Sequence, residues 1–455
     1  MNYDDTVAAL ATPEGVGALA IVRLSGNNAL AIADQVFRPK KLSRQPSHTA
    51  HVGWLEQNGQ MVDEAVAVVF RAPRSYTRED MVEFTIHGSP YLARRVLDLL
   101  LEQGARLARP GEFTLRAFLN GRLDLAQAEA VADLIAAQTD SAHRYALQHL
   151  RGGYSAQLAR LRERLLQLAA LLELELDFSE ENVEFASRSE LLQLADEGRR
   201  QIAELLGSFR WGNAVREGVT TTIAGRPNAG KSTLLNALLQ EDRAIVSELP
   251  GTTRDTLEEV LVLEGIRFRL IDTAGLREAS DQIEQSGIQR ALNKIQRSSV
   301  VLYVFDVTAV TDREVQEDIS RLPLQGAHLI AVGNKIDRAE AKALSNFTLK
   351  SVPLVWISAQ QGTGLNELRA ALVNAVSSGS APAEQVVVTN VRHAEALQRA
   401  GQALEEAQKG LRENRSKELI ASDLRQALDA LGEILGTVTS EQLLDFIFSN
   451  FCIGK

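Results

Sequence analysis

Gly225-Arg226-Pro227-Asn228-Ala229-Gly230-Lys231-Ser232 decides the fold at the centre of this chain. The spacing is that of a phosphate-binding loop: glycines let backbone N–H groups surround phosphates, Lys231 supplies a positive charge, and Ser232 offers a hydroxyl to Mg²⁺. The preceding residues 220–224 are rich in β-branched side chains, which predicts a strand that leads into the loop. ATPases share this loop, so it predicts a nucleoside triphosphate and leaves the base open.

Four further segments follow in order and define the base. They are Gly251-Thr252-Thr253, Asp272-Thr273-Ala274-Gly275, Asn334-Lys335-Ile336-Asp337 and Ser358-Ala359. The Asp337 carboxylate can accept both N–H donors on the hydrogen-bonding edge of guanine, whereas adenine offers no such pair of donors. The motifs in this order predict a site for GTP with Mg²⁺.

The residue that orients the attacking water is not obvious. Many small GTPases place glutamine directly after Asp-x-x-Gly, and here that position is Leu276, which cannot hydrogen-bond through its side chain. A poor GTPase acting as a passive switch is one interpretation, and a water-orienting group from the following segment is the other. The candidates in that segment are Arg277, Glu278, Asp281 and Glu284. The Asn228 amide oxygen either coordinates a monovalent cation against the phosphates or only shapes the loop.

Composition sets the class of protein. The chain has 455 residues, of which 45% are hydrophobic and 24% charged, so two or three globular domains are expected. No apolar run approaches the length of a membrane span, and the acidic N-terminus lacks a secretory signal, so we expect a cytoplasmic protein with no membrane contact. The one cysteine, Cys452, excludes an internal disulfide. Because the net charge is −10, contact with nucleic acid should be local, weak or shared with a more basic partner.

Periodicity divides the chain into three predicted domains. Residues 1–118 alternate as strands with a helix and predict a mixed α/β domain, whereas 119–216 and 383–455 predict a helical domain. Residues 217–378 predict a doubly wound parallel α/β domain of the phosphate-loop kind, inserted into the helical domain. Two leucine stripes predict helices of a bundle: Leu158, Leu161, Leu165, Leu168 and Leu172, then Leu424, Leu428, Leu431 and Leu435.

The motifs resemble a known family. The phosphate loop with asparagine, the run Gly251-Thr252-Thr253-Arg254-Asp255 and the Asp272 segment are similar to the TrmE–Era–Der group of bacterial GTPases. Three more segments resemble the MnmE (TrmE) family of tRNA modification GTPases within that group, and the resemblance runs from end to end. They are Ala11-Thr12-Pro13 with Ile21-Val22-Arg23-Leu24-Ser25-Gly26, the stretch 109–130, and Phe451-Cys452-Ile453-Gly454-Lys455.

This resemblance implies a function and partners. The family has a dimerising N-terminal domain that binds tetrahydrofolate, a helical domain and an inserted GTPase domain. With the flavoprotein MnmG (GidA) it adds an aminomethyl or carboxymethylaminomethyl group to C5 of the wobble uridine at tRNA position 34. The implied assembly is a homodimer that forms a heterotetramer or larger complex with MnmG and binds tRNA jointly with it. K⁺-dependent dimerisation of the GTPase domains drives hydrolysis.

The resemblance also implies roles for individual residues. Glu284 matches the water-orienting glutamate, Ser232 and Thr253 would hold Mg²⁺, and Asn228, Ser247, Leu249 and Thr252 would hold K⁺. The motifs and the resemblance together place GTP against Asn228, Ala229, Gly230, Lys231, Ser232, Thr233, Ser247, Glu248, Leu249, Pro250, Gly251, Thr252, Thr253, Asp272, Thr273, Ala274, Gly275, Asn334, Lys335, Asp337, Ser358 and Ala359.

The implied folate is 5-formyl- or methylene-tetrahydrofolate, and its expected contacts are Arg23, Glu79 (or its neighbour Asp80), Arg122 and Lys455. Arginines and a carboxylate can pair with the glutamate tail and the pterin edges of such a ligand. Cys452 is either a nucleophile near the folate or a thiol with no chemical role.

Two other functions are weighed against this one. A ribosome-assembly switch of the Era or Der kind shares the GTP motifs, but Era carries a C-terminal KH domain and Der carries two GTPase domains. This sequence has one phosphate loop and no KH signature after residue 383. The second alternative is a stand-alone folate-dependent methyltransferase with a regulatory GTPase domain.

Overall fold

The computed structural model describes residues 4–177, 188–240, 258–272, 293–340, 344–345, 347–349, 352–376 and 386–455. The chain divides into two compact units. One unit, here called the terminal unit, comprises Met1–Ala136, Ala146–Arg199 and Arg399–Lys455. The other, the central unit, comprises Ala137–Tyr145 and Arg200–Gln398. The central unit extends beyond the predicted insertion at 217–378 in both directions, and the exact domain boundaries stay predictions.

A seven-stranded sheet forms the first part of the terminal unit. Its strands are β1 (Val7–Leu10), β2 (Leu19–Ser25), β3 (Phe37–Arg38), β4 (Thr49–Gln57), β5 (Gln60–Phe70), β6 (Met81–His87) and β7 (Arg106–Leu107). They lie in the order β3-β4-β5-β6-β2-β1-β7, and neighbours are antiparallel except for the parallel pair β1 and β7.

Two helices cover this sheet. They are α1 (Ala29–Val36) and α2 (Pro90–Glu102). The Ser89 hydroxyl accepts a hydrogen bond from the backbone N–H of Leu92 and Pro90 occupies the first turn, so the start of α2 is well capped. Their buried side chains and the inward-facing residues of β2, β5 and β6 form one hydrophobic core. The mixed α/β domain expected near the N-terminus is confirmed.

The rest of the terminal unit is helical. The helices wholly within it are α3 (Glu112–Leu119), α4 (Leu125–Ala136), α6 (Gly153–Asp177), α12 (Lys417–Leu435) and α13 (Glu441–Ser449). The boundaries between the two units fall within α5 (Asp140–Leu150), α7 (Arg188–Glu217) and α11 (Val391–Glu413), or beside them. Both predicted leucine stripes are buried, the first on α6 and the second on α12, and these two helices contact each other. The spacing of the leucines therefore predicted the faces that pack.

A six-stranded sheet is the framework of the central unit. Its strands are β8 (Val219–Ala224), β9 (Glu258–Leu263), β10 (Ile266–Asp272), β11 (Val300–Asp306), β12 (His328–Asn334) and β13 (Leu354–Trp356). The order is β13-β12-β11-β8-β10-β9, and every neighbouring pair is parallel except β9 with β10. Parallel strands need crossover connections, which place helices on the faces of the sheet.

Both faces of this sheet are covered. In the described part of this domain the covering helices are α8 (Lys231–Gln240), α9 (Asp312–Ser320) and α10 (Leu365–Val376). Leu302 and Val304 of β11 share a core with α8 and α10, while Tyr303 and Phe305 share a second core with Val315 of α9. Because successive strand residues point to opposite faces, these two cores lie on opposite sides of the sheet. The predicted doubly wound arrangement is confirmed. Among the described residues, no helix is both long enough and apolar enough to cross a bilayer.

Candidate nucleotide-binding site

The phosphate loop joins β8 to α8, as its sequence predicted. Gly225 has a φ of +142° and Gly230 a φ of +94°, both in the region that favours glycine. A Cβ at Gly225 would collide with the Val304 carbonyl oxygen of β11, and one at Gly230 would collide with the Asn334 side chain. The loop therefore lies against two neighbouring strands, and its glycines are required by these close approaches.

Lys231 begins α8 and turns back over the loop. Its Nζ donates to the carbonyl oxygens of Gly225 and Arg226, each at 2.9 Å. The positive end of the α8 dipole and the Lys231 ammonium thus lie at one end of the loop, which is an arrangement suited to phosphate. Ser232 follows within the first turn of α8 and lines the pocket described below.

Asn334 joins three of the predicted motifs through its side chain. Its Nδ2 donates to the Ala229 carbonyl oxygen at 2.9 Å, and its Oδ1 accepts from the backbone N–H groups of Lys335 at 2.8 Å and Ala359 at 3.0 Å. The residue is 2% exposed. The structure therefore gives Asn334 the role of holding the phosphate loop and the two base-side segments together.

Lys335 makes a second connection across the site. Its Nζ donates to the Asn228 carbonyl oxygen at 2.8 Å and to Asp306 Oδ2 at 2.7 Å. Burial raises the pKa of Asp306, but hydrogen bonds from Lys335 and Thr308 outweigh it and hold that pKa below its ordinary value. Sequence reasoning missed Asp306, which the structure pairs with Asn334 in the parallel register. The available signal was its position directly after the apolar run 300–305.

Asp337, the residue predicted to recognise guanine, is held by a neighbour. The Ser358 hydroxyl donates to Asp337 Oδ1 at 2.6 Å, and Ser358 is fully buried. The carboxylate lies on a pocket of about 390 Å³. The residues that line this pocket are Asn228, Gly230, Lys231, Ser232, Thr233, Asn334, Lys335, Asp337, Arg338, Ala359 and Gln360. The phosphate loop and both base-side motifs therefore meet around one cavity, in which sequence reasoning missed only Arg338 and Gln360.

Part of the predicted site lies outside the described residues. This is the case for Ser247, Glu248, Leu249, Pro250, Gly251, Thr252, Thr253, Thr273, Ala274, Gly275, Glu284 and the other water-orienting candidates Arg277, Glu278 and Asp281. The structure ends β10 at Asp272, whose backbone pairs in register with Ile223 of β8. The K⁺ loop, the second Mg²⁺ ligand and the catalytic glutamate stay predictions.

The predicted folate residues lie in the terminal unit, where two of them meet on one aromatic ring. The guanidinium carbon of Arg23 lies 5.4 Å from the centroids of both Tyr76 and Phe113, and that of Arg122 lies 4.9 Å from the Tyr76 centroid. Arg23 also donates to Glu83 at 2.8 Å and to the Gly454 carbonyl oxygen at 3.1 Å. We call Arg23, Tyr76, Phe113 and Arg122 the Tyr76 cluster.

The C-terminal segment is bound to the same region by its backbone. The Lys455 carbonyl oxygen accepts from the N–H of Phe113 at 3.2 Å, and the Cys452 carbonyl oxygen accepts from the N–H of Gly111 at 3.3 Å. The Cys452 side chain is exposed. The C-terminal residues that resembled the family therefore lie next to Arg23 and Phe113.

Glu79 has different neighbours. Its carboxylate accepts from the Ser25 hydroxyl at 2.8 Å and from the Arg116 guanidinium at 3.2 Å. Arg116 is 1% exposed and also pairs with Asp5 and Glu112. Burial lowers the pKa of Arg116, but the Glu79 charge and the other carboxylates outweigh it, so its pKa is raised. Asp80, the alternative to Glu79, accepts from the backbone N–H of Ala72.

Comparison with known proteins decides the family. The model of the MnmE helical domain matches residues 125–452, and the model of the GTP-binding protein TrmE N-terminus matches residues 6–122. The first match covers well over half of the chain. This chain belongs to the MnmE family. A tRNA modification GTPase MnmE from Cytophaga hutchinsonii is 49% identical over 455 residues, which is 100% of this chain and 98% of that protein.

A second curated relative agrees with this assignment. A tRNA modification GTPase MnmE from Chlorobium luteolum is 50% identical over 465 residues, covering 99% of this chain and 98% of that protein. Among solved structures, Aquifex aeolicus Era bound to GDP and aluminium fluoride is 28% identical over 41% of this chain and 66% of that one, with a TM-score of 0.29. As a member of the MnmE family, the chain is a GTP-binding protein and a GTPase, as its motifs predicted.

Proposed function

We propose that this GTPase acts in the C5 modification of the wobble uridine of tRNA, adding an aminomethyl or carboxymethylaminomethyl group at position 34 together with the flavoprotein MnmG. The observation that carries the proposal is the match to tRNA modification GTPases over the whole chain at 43–50% identity. The guanine motifs, which converge on one pocket, supply the GTP-dependent part of the proposal.

The one-carbon donor in this proposal is 5-formyl- or methylene-tetrahydrofolate. The Tyr76 cluster fits such a ligand, because guanidinium groups pair with carboxylates and an aromatic ring offers a flat face to a pterin. In this role Arg23 and Arg122 bind the folate and Lys455 approaches it from the C-terminal segment. The folate would supply the one-carbon unit for C5, and this chain's residues would hold and orient it.

GTP hydrolysis requires ions in the same proposal. Ser232 and Thr253 would hold Mg²⁺, which neutralises phosphate charge. Asn228 and the loop residues Ser247, Leu249 and Thr252 would hold K⁺ where two GTPase domains of a homodimer meet. The described part of this set fits, since Asn228 and Ser232 are on the wall of the pocket. Glu284 would orient the attacking water.

Two measurements test this hydrolytic machinery. Glu284→Ala should leave GTP binding intact and slow hydrolysis severely, while Glu340→Gln, an exposed acidic residue, serves as the control. Replacement of K⁺ by Na⁺ should also suppress hydrolysis. Unchanged turnover in the Glu284 variant would remove that residue from the mechanism, and equal rates in the two salts would remove the K⁺ site.

The proposal also concerns how tRNA is bound. With a net charge of −10, this chain is a poor candidate for a stand-alone tRNA clamp. We therefore infer that tRNA is held jointly with MnmG in a heterotetramer or larger complex. An electrophoretic mobility shift at physiological salt should show weak binding by this chain alone and tight binding by the pair. Tight binding by this chain alone would contradict the inference.

Nucleoside mass spectrometry is the decisive experiment for the function as a whole. Cells that lack this chain should lose the C5-aminomethyl-type wobble uridines, and re-expression of the wild-type chain should restore them. Re-expression of Lys231→Ala, which removes the phosphate-loop charge, should fail to restore them. An unchanged nucleoside profile would favour the ribosome-assembly switch of the Era or Der kind, for which GTP-dependent co-sedimentation with a ribosomal subunit is the test.

A further inference from the structure

Arg226 is a phosphate-loop residue whose side chain points away from the nucleotide pocket. It is not among the residues that line the cavity. Instead, its guanidinium reaches α9: Nε lies 2.6 Å from Asp318 Oδ2, Nη2 lies 3.3 Å from Asp318 Oδ1, and Nη1 lies 2.9 Å from Glu314 Oε1. The two contacts to Asp318 form a bidentate pair, the geometry in which arginine holds a carboxylate best.

The two carboxylates are themselves fixed. The other oxygen of Glu314 accepts from both the backbone N–H and the hydroxyl of Thr311, which closes the N-terminal capping box of α9. Asp318 Oδ2 also accepts the Tyr303 hydroxyl at 2.5 Å, and Tyr303 is 3% exposed in β11. The Thr311 backbone N–H and then Arg226 lower the pKa of Glu314 to about 2, so this acceptor is ionised at neutral pH.

The backbone of Arg226 faces the opposite way, towards the reactive end of the loop. Its carbonyl oxygen accepts the Lys231 ammonium at 2.9 Å and the Ala229 N–H at 3.4 Å. The same residue therefore connects α9, and through Asp318 also Tyr303 of β11, to the ammonium group that carries the positive charge for the phosphates. A displacement of Arg226 would move the carbonyl that holds Lys231.

We propose that Arg226 is a positioning residue for GTP binding, which fixes the phosphate loop and the Lys231 ammonium by anchoring to Asp318 and Glu314. The phosphate loop then has its binding conformation before the nucleotide arrives. Nucleotide binding therefore costs less conformational entropy than it would if the loop became ordered only on binding. Arg226 touches no nucleotide in this role. The proposal concerns the GTPase activity alone and is independent of the tRNA substrate.

The competing interpretation is that the network is an ordinary surface ion pair. The Arg226 side chain is 38% exposed, and pairs with such exposure contribute little to stability. A surface pair of this kind would alter the melting temperature slightly and leave nucleotide kinetics unchanged. The rate of nucleotide release therefore distinguishes the two interpretations.

The test is the dissociation rate of a fluorescent GDP, measured by chase with unlabelled GDP on the full chain. Arg226→Ala should release GDP about tenfold faster, which corresponds to the loss of a charge-assisted hydrogen bond. Arg226→Lys should lie between this variant and the wild type. The KM for GTP should rise, with a smaller change in kcat. Arg313→Ala is the matched control, because Arg313 lies on α9 beside Glu314, is 89% exposed and pairs along the surface with Glu317.

A second variant changes the carboxylate partner of Arg226. Asp318→Asn keeps an oxygen for the Tyr303 hydroxyl but weakens the pair with Arg226, so it should accelerate release in the same direction. The double variant should release GDP no faster than Arg226→Ala alone, because both substitutions act on the same Arg226–Asp318 interaction. Wild-type release rates in folded Arg226→Ala would overturn the proposal. If that variant does not fold, wild-type rates in Asp318→Asn would overturn it.

Discussion

The nucleotide pocket and the Tyr76 cluster are built in contrasting ways. In the central unit, each contributing motif lies at or just beyond the carboxyl end of a strand of one sheet, and the parallel strands bring these ends to the same edge. In the terminal unit, the Tyr76 cluster draws on β2, the loop before β6 and two later segments. Arg23 also bonds to Gly454, which is 431 residues away in sequence.

This difference explains why one site was easier to predict. In a parallel sheet, the loops that follow the strands all lie at the same edge. Binding motifs that follow successive strands are therefore expected to form one pocket. A mostly antiparallel sheet with a docked C-terminal segment offers no such rule. Without the family resemblance, nothing in the spacing of Arg23, Arg122 and Lys455 would have brought them together.

The largest expected effect is on base recognition in the nucleotide pocket. Asp337→Asn replaces an acceptor oxygen by an N–H donor that would face the donors of guanine, so GTP affinity should fall by roughly 100-fold or more. Xanthosine triphosphate, which has a carbonyl where guanine has an amino group, should bind better to the variant than to the wild type. Calorimetry with both nucleotides measures this exchange, with Glu340→Gln as the control. Undiminished GTP affinity would show that Asp337 does not read the base.

The second effect tests whether the Tyr76 cluster is a separate site. Arg23→Ala should weaken binding of 5-formyl-tetrahydrofolate by about tenfold or more, because it removes a cation beside Tyr76 and Phe113. GTP affinity of the same protein should not change. Equilibrium dialysis measures both ligands, and Arg74→Ala, at an exposed arginine of the same unit, is the control. Equal folate affinity in the Arg23 and Arg74 variants would remove the cluster from the folate site.

A third effect tests the long-range contact with the C-terminal segment. Gly454 has a φ of +89°, and a Cβ there would collide with the Leu10 carbonyl oxygen. Gly454→Ala should therefore lower the free energy of unfolding of the terminal unit by about 1–3 kcal/mol, or release the segment. Denaturant unfolding and carboxypeptidase digestion measure these outcomes.

Gly59→Ala is the control that separates the cost of backbone strain from the cost of the steric collision at Gly454. Gly59 has a φ of +80°, but apart from its two chain neighbours no described residue has an atom within 4 Å of its Cβ position. Its substitution should cost only the backbone strain and less than Gly454→Ala. Equal costs at the two glycines would show that the C-terminal segment is not packed against β1.

The smallest effect concerns a pair within the sheet of the terminal unit. His87 Nδ1 lies 2.7 Å from Asp63 Oδ1, and this hydrogen bond and the Asp63 charge raise the pKa of His87 above its ordinary value of 6.5. The stabilisation is thus fully present below pH 6.5 and is lost as the pH rises through the raised pKa. NMR titration should show that Asp63→Asn lowers this pKa. No change in that variant would contradict the hydrogen bond between Asp63 of β5 and His87 of β6, which are neighbouring strands.

Much of the fold followed from sequence patterns. The leucine stripes on α6 and α12 were identified by their helical period, and the alternation of strands with helices over 217–378 predicted the doubly wound sheet. The partners of individual side chains did not follow. Asp306 contacts Lys335, and Arg226 contacts Asp318 of α9. Each contact joins segments that are distant in sequence and are brought together by packing, so no local periodicity predicts it.

The sequence by itself determined that the chain binds a guanine nucleotide, because each motif carries its own chemistry within a few adjacent residues. It also determined the helical and strand faces, because burial imposes the periods 3.6 and 2 on apolar residues. Only the tertiary structure decided that Asn334 ties the motifs together, that Glu79 pairs with buried Arg116, and that Arg23 and Arg122 share Tyr76. These contacts depend on how distant segments pack, since a side chain's partners are selected by proximity in space.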